Sequence, residues 1–410
     1  MRASSHPPKY LRVLASPVLI FFAAFAMRLA MMAHLLAGFG ASTFYLHNEV
    51  AHIASALVAG AGYSSPWGTA QIAPTAQQPP VYPLLLAGVF RIFGVYTRTS
   101  AVVALTINAA AAAATAALLP YLAGRCLGER RDGVLAGWIM ALWPYEAILS
   151  LQLWNQALAG LTLVVFVGML VAVARSQHQR AWFGLGCFAG AAVLLNSALI
   201  LPFVCAFVAK TRLTRGALLV LAGFLLLLTP WTVRNWMVFG RIIPLRDNFG
   251  FEVWVGNHQG LPLRHPMAYR GALPEADLRR ANWNELVFLN QKTEEVKQYI
   301  KARPWDYVRR CAWRVLEFWM TPEPGYWLLV SLLSWVGALL AWRREKSFAL
   351  IIATFPVVYY VTHVWPNYRY PIEPLLILMA TYAVVKAALS VREMHARRYA
   401  QGRPLSASPR

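Results

Sequence analysis

The sequence predicts an all-α integral membrane protein, a bundle of about ten to eleven transmembrane helices with juxtamembrane helices in its first external loop. Two compositional facts and one pattern point there. Of the 410 residues, 58% are hydrophobic and 13% charged, against about 25% charged in an ordinary soluble domain. Mean hydropathy is +0.47. The pattern is a series of nearly charge-free runs of roughly 18 residues or more, each able to cross a hydrocarbon core of about 30 Å at about 1.5 Å per residue.

The first run, Leu11–Leu36, is interrupted only by Arg28. It exceeds the roughly 7–15 apolar residues of a secretory signal, so it is expected to be a retained span. Arg28 either snorkels outward or faces a polar cavity inside the bundle, and the habit of intramembrane arginines favours the first. Further spans fall between cation clusters at Ser100–Ala123, Gly133–Leu149 and Leu153–Ala174. Trp182–Ala209 is too long for one straight span and too short for two full ones. A basic C-terminal tail on the inner side requires an even number of crossings there, so two half-spans meeting near Asn196-Ser197 are expected. Gly216–Val233 leads out again, and Tyr326–Trp342, Phe348–Val364 and Pro371–Leu389 complete the set. The run Ala109–Ala117 offers a small-residue face for close helix packing.

These spans divide the chain into four parts. Residues 1–233 form an N-terminal transmembrane module whose first external loop covers about 38–98, 234–322 an external region, 323–390 the last transmembrane helices and 391–410 a basic cytoplasmic tail. The net charge of +21 raises nucleic acid as a partner. Its placement argues instead for the bilayer: Arg2, Lys9 and Arg12 at one end and Lys386, Arg392, Arg397, Arg398, Arg403 and Arg410 at the other follow the positive-inside pattern. Both termini are then cytoplasmic and the long loops external, on a plasma (inner) membrane. The external region carries fourteen Lys/Arg and eight Asp/Glu between Arg234 and Arg314, but loops of this length translocate largely regardless of charge. Cys126, Cys187, Cys205 and Cys311 are scattered and form no C-x-x-C pair.

Phosphate-binding, metalloprotease, nucleophile-elbow and dinucleotide signatures are absent, which directs the search for chemistry to the membrane surface. No acid falls in the middle of a span: Glu146, Glu317, Glu323 and Glu373 all lie near ends. That distribution counts against a proton-driven transporter. Glu49 is the only acidic residue in the first 128 positions. After it, Val50, Ile53, Ala54, Leu57 and Val58 form one apolar stripe of a short helix suited to the bilayer surface. A carboxylate there meets both water and a membrane-bound substrate; the plainer reading is a helix N-terminal acid answering the macrodipole. His47, Glu49 and His52 are the candidates for a divalent metal, although i and i+5 lie about 140° apart on a helix. No other cofactor is indicated.

The loop continues through Gly60-Ala61-Gly62-Tyr63-Ser64, then Pro79-Pro80-Val81-Tyr82-Pro83-Leu84-Leu85-Leu86 and Phe90-Arg91-Ile92-Phe93-Gly94. Later come Thr229-Pro230-Trp231-Thr232-Val233-Arg234-Asn235, Phe239-Gly240 and Gly256-Asn257, then Ile300, Pro304, Arg314, Phe318 and Trp319, and Tyr368-Arg369-Tyr370-Pro371-Ile372-Glu373-Pro374. In order and spacing these resemble the GT-C superfamily of polytopic glycosyltransferases, in the protein-mannosyltransferase-like and aminoarabinose-transferase-like group.

The resemblance implies transfer of a sugar from a polyprenyl-phosphate donor to a lipid, glycan or protein acceptor at the external face, with inversion. It places the family's external catalytic carboxylate on Glu49, as general base. Many relatives carry two adjacent acids there, whereas here the neighbours are His47 and Asn48. The departing phosphate needs a cation, for which Arg234 and Arg369 are the candidates; as interfacial residues both also suit simple anchoring. Tyr63, Trp67, Tyr82 and His258 are candidates to contact the sugar, or belong to an aromatic belt. The competing classes are a lipid-linked sugar flippase or exporter and a non-catalytic membrane scaffold.

Overall fold

A computed structural model of the protein describes residues 13–45, 48–67, 71–211, 215–258, 275–320 and 324–401. His47, the terminal cations Arg2, Lys9, Arg12, Arg403 and Arg410, and residues 259–274 of the expected external region lie outside the described residues. Among the described residues the chain is helical, without named β-strands; an isolated antiparallel bridge joins Ser64 and Pro74.

Helix α1 (Pro17–Phe39) leads to the short helices α2 (Glu49–Val58) and α3 (Val81–Phe93). Then follow α4 (Arg98–Cys126), α5 (Arg130–Leu142), α6 (Pro144–Ser150), α7 (Gln156–Val173), α8 (Gln179–Leu195), α9 (Ile200–Lys210) and α10 (Arg215–Phe239). Helices α11 (Phe249–Asn257), α12 (Glu275–Arg280), α13 (Glu285–Ala302) and α14 (Pro304–Met320) lie in the stretch between α10 and the last helices. The chain ends with α15 (Pro324–Ala341), α16 (Ser347–Thr354), α17 (Val357–Val361) and, after a 3-10 turn at Pro366–Ile372, α18 (Glu373–Gln401).

This is a multi-pass membrane protein. Helices α1, α4, α7, α10 and the stretch Pro366–Arg397 are long and apolar enough to cross a bilayer, and α5 with α6, bent by 72°, is so as a pair, in the manner of a broken span or a re-entrant loop. The other expected spans are present as shorter apolar pieces: α8, Ser197–Lys210, Trp327–Ala341 and Ser347–Val361. Their shortening has local causes. The expected straight span Gly133–Leu149 bends at Trp143, which is extended, because Pro144 has no N–H to continue the helical ladder. Pro356 interrupts the ladder within Phe348–Val364, but Phe355 and Pro356 keep helical dihedral angles, so Ser347–Val361 stays one short helix. At the expected meeting point of two half-spans, Asn196 is extended and its side chain accepts from Ala198 N at 3.1 Å, capping the turn Ser197–Leu199.

Helices α8 and α10 make the most extensive helix pair, and their glycines fix its direction. A Cβ on Gly186 would lie 2.0 Å from the Val220 carbonyl oxygen, one on Gly190 2.9 Å from that of Phe224, and one on Gly223 2.4 Å from that of Phe183. The contacts advance together along both helices, so α8 and α10 run parallel, and α9, which joins them in sequence, packs on α16 instead. The alanine face of α4 packs as its composition requires: Ala109, Ala112, Ala113 and Ala116 are buried, and a Cβ on Gly133 of α5 would meet the Leu119 carbonyl oxygen at 2.2 Å.

Two expectations are overturned. Arg28 does not snorkel: it is fully buried, donating from Nη1 to Ala24 O at 3.1 Å and from Nη2 to Met140 O at 3.3 Å. The stripe on α2 does not lie on lipid. Val50, Ala51 and Ala54 pack with Tyr82, Leu86, Phe90 and Leu105, and Ile53 packs with Tyr63, Leu194 and Trp231. Helices α11–α13 have a small core of their own around Phe251, Trp254, Leu278, Phe288 and Val296.

Candidate active site

A cavity of about 290 Å³ opens where the helix breaks come together. Asn155 and Gln156 at the start of α7, Asn196 and Ser197 at the α8–α9 reversal, and Thr362 and His363 after α17 all line it. Irregular backbone inside an apolar bundle needs protein or water to satisfy its polar groups, and two of these breaks satisfy each other. Asn155 Nδ2 donates to Leu195 O at 2.6 Å, and Asn196 Nδ2 to Asn155 Oδ1 at 3.3 Å.

Glu49 lines the cavity from the first turn of α2. Asn48 caps that turn by accepting from Ala51 N at 3.0 Å, while its Nδ2 donates to Leu153 O at 2.8 Å. One side chain thus starts the helix and ties it to the segment before α7. Gly60, at φ +77°, ends the helix, and Ala61 N reaches back to Ala56 O at 2.9 Å. The described parts of the following loop, 63–67 and 71–80, meet at the bridge between Ser64 and Pro74 and form a strap that ends at Pro80. Gln78, at its end, donates from Nε2 to Glu49 Oε2 at 2.5 Å.

The strap is held by charged side chains. Arg234 donates from Nη1 to Thr75 O at 2.7 Å and from Nη2 to Tyr63 O at 2.8 Å. Arg246 Nε donates to Gln77 O at 2.6 Å. Glu285, at the start of α13, accepts from Ala76 N at 2.7 Å and from Gln77 Nε2 at 3.1 Å. Burial, with Asp247 nearby, pushes the Glu285 carboxyl up to about 8, and burial pushes Asp247 up to about 6.

Other charged groups complete the lining. Arg246 Nη2 donates to Glu252 Oε1 at 3.0 Å, and Asn248 Nδ2 donates to the same oxygen at 2.8 Å. His363 stands with Nδ1 3.7 Å from Glu252 Oε2 and Nε2 3.0 Å from the Tyr368 hydroxyl. A carboxylate, a guanidinium and an imidazole in one cavity can move a proton and neutralise a developing oxyanion.

Of the residues singled out from sequence, Glu49 lines this cavity, and Arg234, Arg369, Tyr63, Tyr82 and His258 do not. Arg234 is the strap's clamp, with its guanidinium over the rings of Tyr63, Trp231 and Phe239. Arg369 is buried in the bundle, where Nε donates to Glu373 Oε2 at 2.7 Å and Nη1 to Ser331 Oγ at 2.9 Å. Its neighbour Tyr368 lines the cavity instead, because successive residues of a 3-10 turn point about 120° apart. Tyr63 is buried, with its hydroxyl donating to Gln78 O at 2.8 Å and its phenol pushed up by that burial. Tyr82 is buried under α2 and accepts from Asn108 Nδ2 at 3.0 Å. His258 stacks on Trp254 at 4.3 Å, and burial lowers its pKa.

The metal-ligand set does not assemble among the described residues. His52 Nδ1 meets the Tyr96 hydroxyl at 3.1 Å while Glu49 meets Gln78, and His47 lies outside the described residues. No group of three His, Cys, Asp or Glu able to hold a metal ion occurs among the described residues.

Gln78, Arg246, Glu252 and His363 were not distinguishable as site residues in the sequence. The one available signal was the amide pair Gln77-Gln78 set among prolines, polar groups on a rigid segment directly after the acid-bearing helix.

No family model matches the chain, and no curated protein matches it in sequence. Among solved structures, that of ArnT from Cupriavidus metallidurans bound to undecaprenyl phosphate is similar, at 12% sequence identity and a TM-score of 0.37. The match covers 83% of this chain and 74% of that one.

Proposed function

We propose that the cavity is the site of an inverting glycosyl transfer, in which a polyprenyl-phosphate donor gives its sugar to an acceptor hydroxyl at the external face of the membrane. The observation that carries this reading is that Glu49, fixed by Gln78, lines the same cavity as Arg246. The lipid tail lies between helices, with the sugar and phosphate at the helix breaks.

Glu49 takes the proton of the acceptor hydroxyl as that oxygen attacks the anomeric carbon from the side opposite the phosphate. The bond from the anomeric carbon to the phosphate oxygen breaks, and its electron pair leaves with the phosphate, which gains one negative charge. Arg246, rather than Arg234 or Arg369, answers that charge, because it is the guanidinium in the cavity lining. Its partner Glu252 and the 3.0 Å contact between His363 and Tyr368 hold the surrounding groups in place. The acceptor is a lipid, glycan or protein met from the external region, and the termini are cytoplasmic in this reading.

The test is transfer from radiolabelled polyprenyl-phosphate sugars in membranes carrying the wild-type protein or Glu49→Gln. A positioned base supplies about 10²–10⁴-fold in rate, and the variant loses that much while keeping its expression and elution profile. Unchanged transfer in Glu49→Gln overturns the reading. Movement of the labelled lipid across the membrane without a new glycosidic bond identifies a flippase.

A further inference from the structure

Glu285 is 5% exposed and does not line the cavity, yet it is bonded to the strap that does. Its two oxygens accept from Ala76 N at 2.7 Å and Gln77 Nε2 at 3.1 Å. The next residue along the strap is Gln78, whose amide meets Glu49. Burying a carboxyl group is costly unless hydrogen bonds compensate, and α13 does not need one for packing, since Phe288, Leu289 and Val296 supply its core.

We propose that Glu285 is a positioning residue: by fixing Ala76 and Gln77 it sets the register of the strap, and so places Gln78 against Glu49. Helix α13 thereby governs a group in the cavity that it does not touch. The consequence for turnover rests on the reading of Glu49 as the base.

The groups facing Glu285 are Asp247 ahead of α11, Arg234 of α10, and Tyr63 and Thr75 of the strap, with Arg246 reaching it through Gln77. With its carboxyl pushed up to about 8, Glu285 is mainly the neutral acid at pH 7. Either it or the Gln77 amide then supplies the hydrogen between them. Above that pH a charge forms in a buried setting: the bonds from Ala76 and Gln77 favour it, but desolvation and the repulsion from Asp247 outweigh them, and release of Glu285 from the strap becomes easier.

The experiment uses the purified full-length chain with Glu285→Ala, Glu285→Gln, which mimics the neutral acid, and Gln77→Leu, which cuts the same link from the other side. Two quantities are read: the rate of dicyclohexylcarbodiimide labelling at Glu49 by mass spectrometry from pH 6 to 9.5, and kcat and KM for sugar transfer. Glu285→Ala and Gln77→Leu are expected to change the labelling rate several-fold. They also lower kcat by about 10- to 100-fold, the cost of a misplacement of about 1 Å, with donor KM unchanged. Glu285→Gln matches wild type at pH 7 and lacks the loss wild type shows at high pH.

Wild-type labelling in both Glu285→Ala and Gln77→Leu overturns the proposal, as does Glu285→Gln behaving like Glu285→Ala at pH 7. Labelling reports where Glu49 sits whatever its role, so a protein that transfers no sugar refutes the functional reading and still decides this one.

Discussion

Gln78 Nε2 and Glu49 Oε2 lie 2.5 Å apart, joining the end of the proline-rich strap to the first turn of α2. The carboxylate is thus fixed from two directions, by the helix that bears it and by an amide reached through the loop. Gln78→Leu removes the second. A hydrogen bond to a charged group is worth about 1.5–3 kcal/mol, so transfer falls by roughly 10- to 100-fold. Steady-state kinetics with unchanged protein yield checks it.

Arg246 and Arg234 are expected to fail differently. Arg246→Ala lowers transfer by about 10²–10³-fold, the loss typical of one oxyanion donor, and Arg246→Lys does not restore it fully because an ammonium lacks the two-pronged geometry. Arg234→Ala instead frees the Tyr63 and Thr75 carbonyls. It lowers thermal stability by about 1.5–3 kcal/mol, measured by unfolding in detergent.

Arg369 and Glu373 are both fully buried, with Arg369 over the Trp327 ring at 4.3 Å. Removing one partner strands the other's charge, so Glu373→Leu or Arg369→Met costs about 3–5 kcal/mol. The double variant recovers part of it, because neither charge of the pair is stranded, although Ser331 and the buried Glu146 lose their Arg369 neighbour. Denaturation of the three proteins in nanodiscs provides the cycle.

Gly186→Ala, with its new Cβ 2.0 Å from the Val220 carbonyl oxygen, forces α8 and α10 apart at a cost of about 1–3 kcal/mol. Gly184→Ala two positions earlier meets nothing within 4 Å and leaves stability unchanged or slightly higher. Melting temperatures of the pair decide it.

Stability should fall as pH rises. Burial lifts Asp247 from 3.8 to about 6 and Glu285 from 4.5 to about 8, so the folded chain holds these protons more tightly than the unfolded one. Their contribution is complete below the unfolded values and is lost by about pH 8. A melting curve from pH 4 to 9 shows the decline, and Glu285→Gln with Asp247→Asn flattens it.

Most of the helical plan was legible because it rests on long-range composition: charge-free runs, the alanine face of α4 and the polar pair Asn196-Ser197 each predicted what formed. Glu49 was legible as a solitary acid after the first span. The other cavity residues were not, since their roles depend on where a bend aims them. Tyr368 and Arg369 are adjacent in sequence and face different surroundings, and Arg246 reaches the cavity only because the chain doubles back after α10. Arg28 was misjudged because the break at Trp143-Pro144 exposes the Met140 carbonyl to it inside the bundle, a partner no local pattern announces.

The glycine contact between α8 and α10 has a mechanical consequence. With backbone against backbone, there is no layer of side chains in which the two could slide, so they form a single spar. One member ends at Asn196, on the floor of the cavity; the other carries Arg234, which anchors its lid. Floor and lid anchor therefore tilt together, and any rocking of the spar moves that side of the chamber as one piece against Tyr359, Thr362 and His363 on the other.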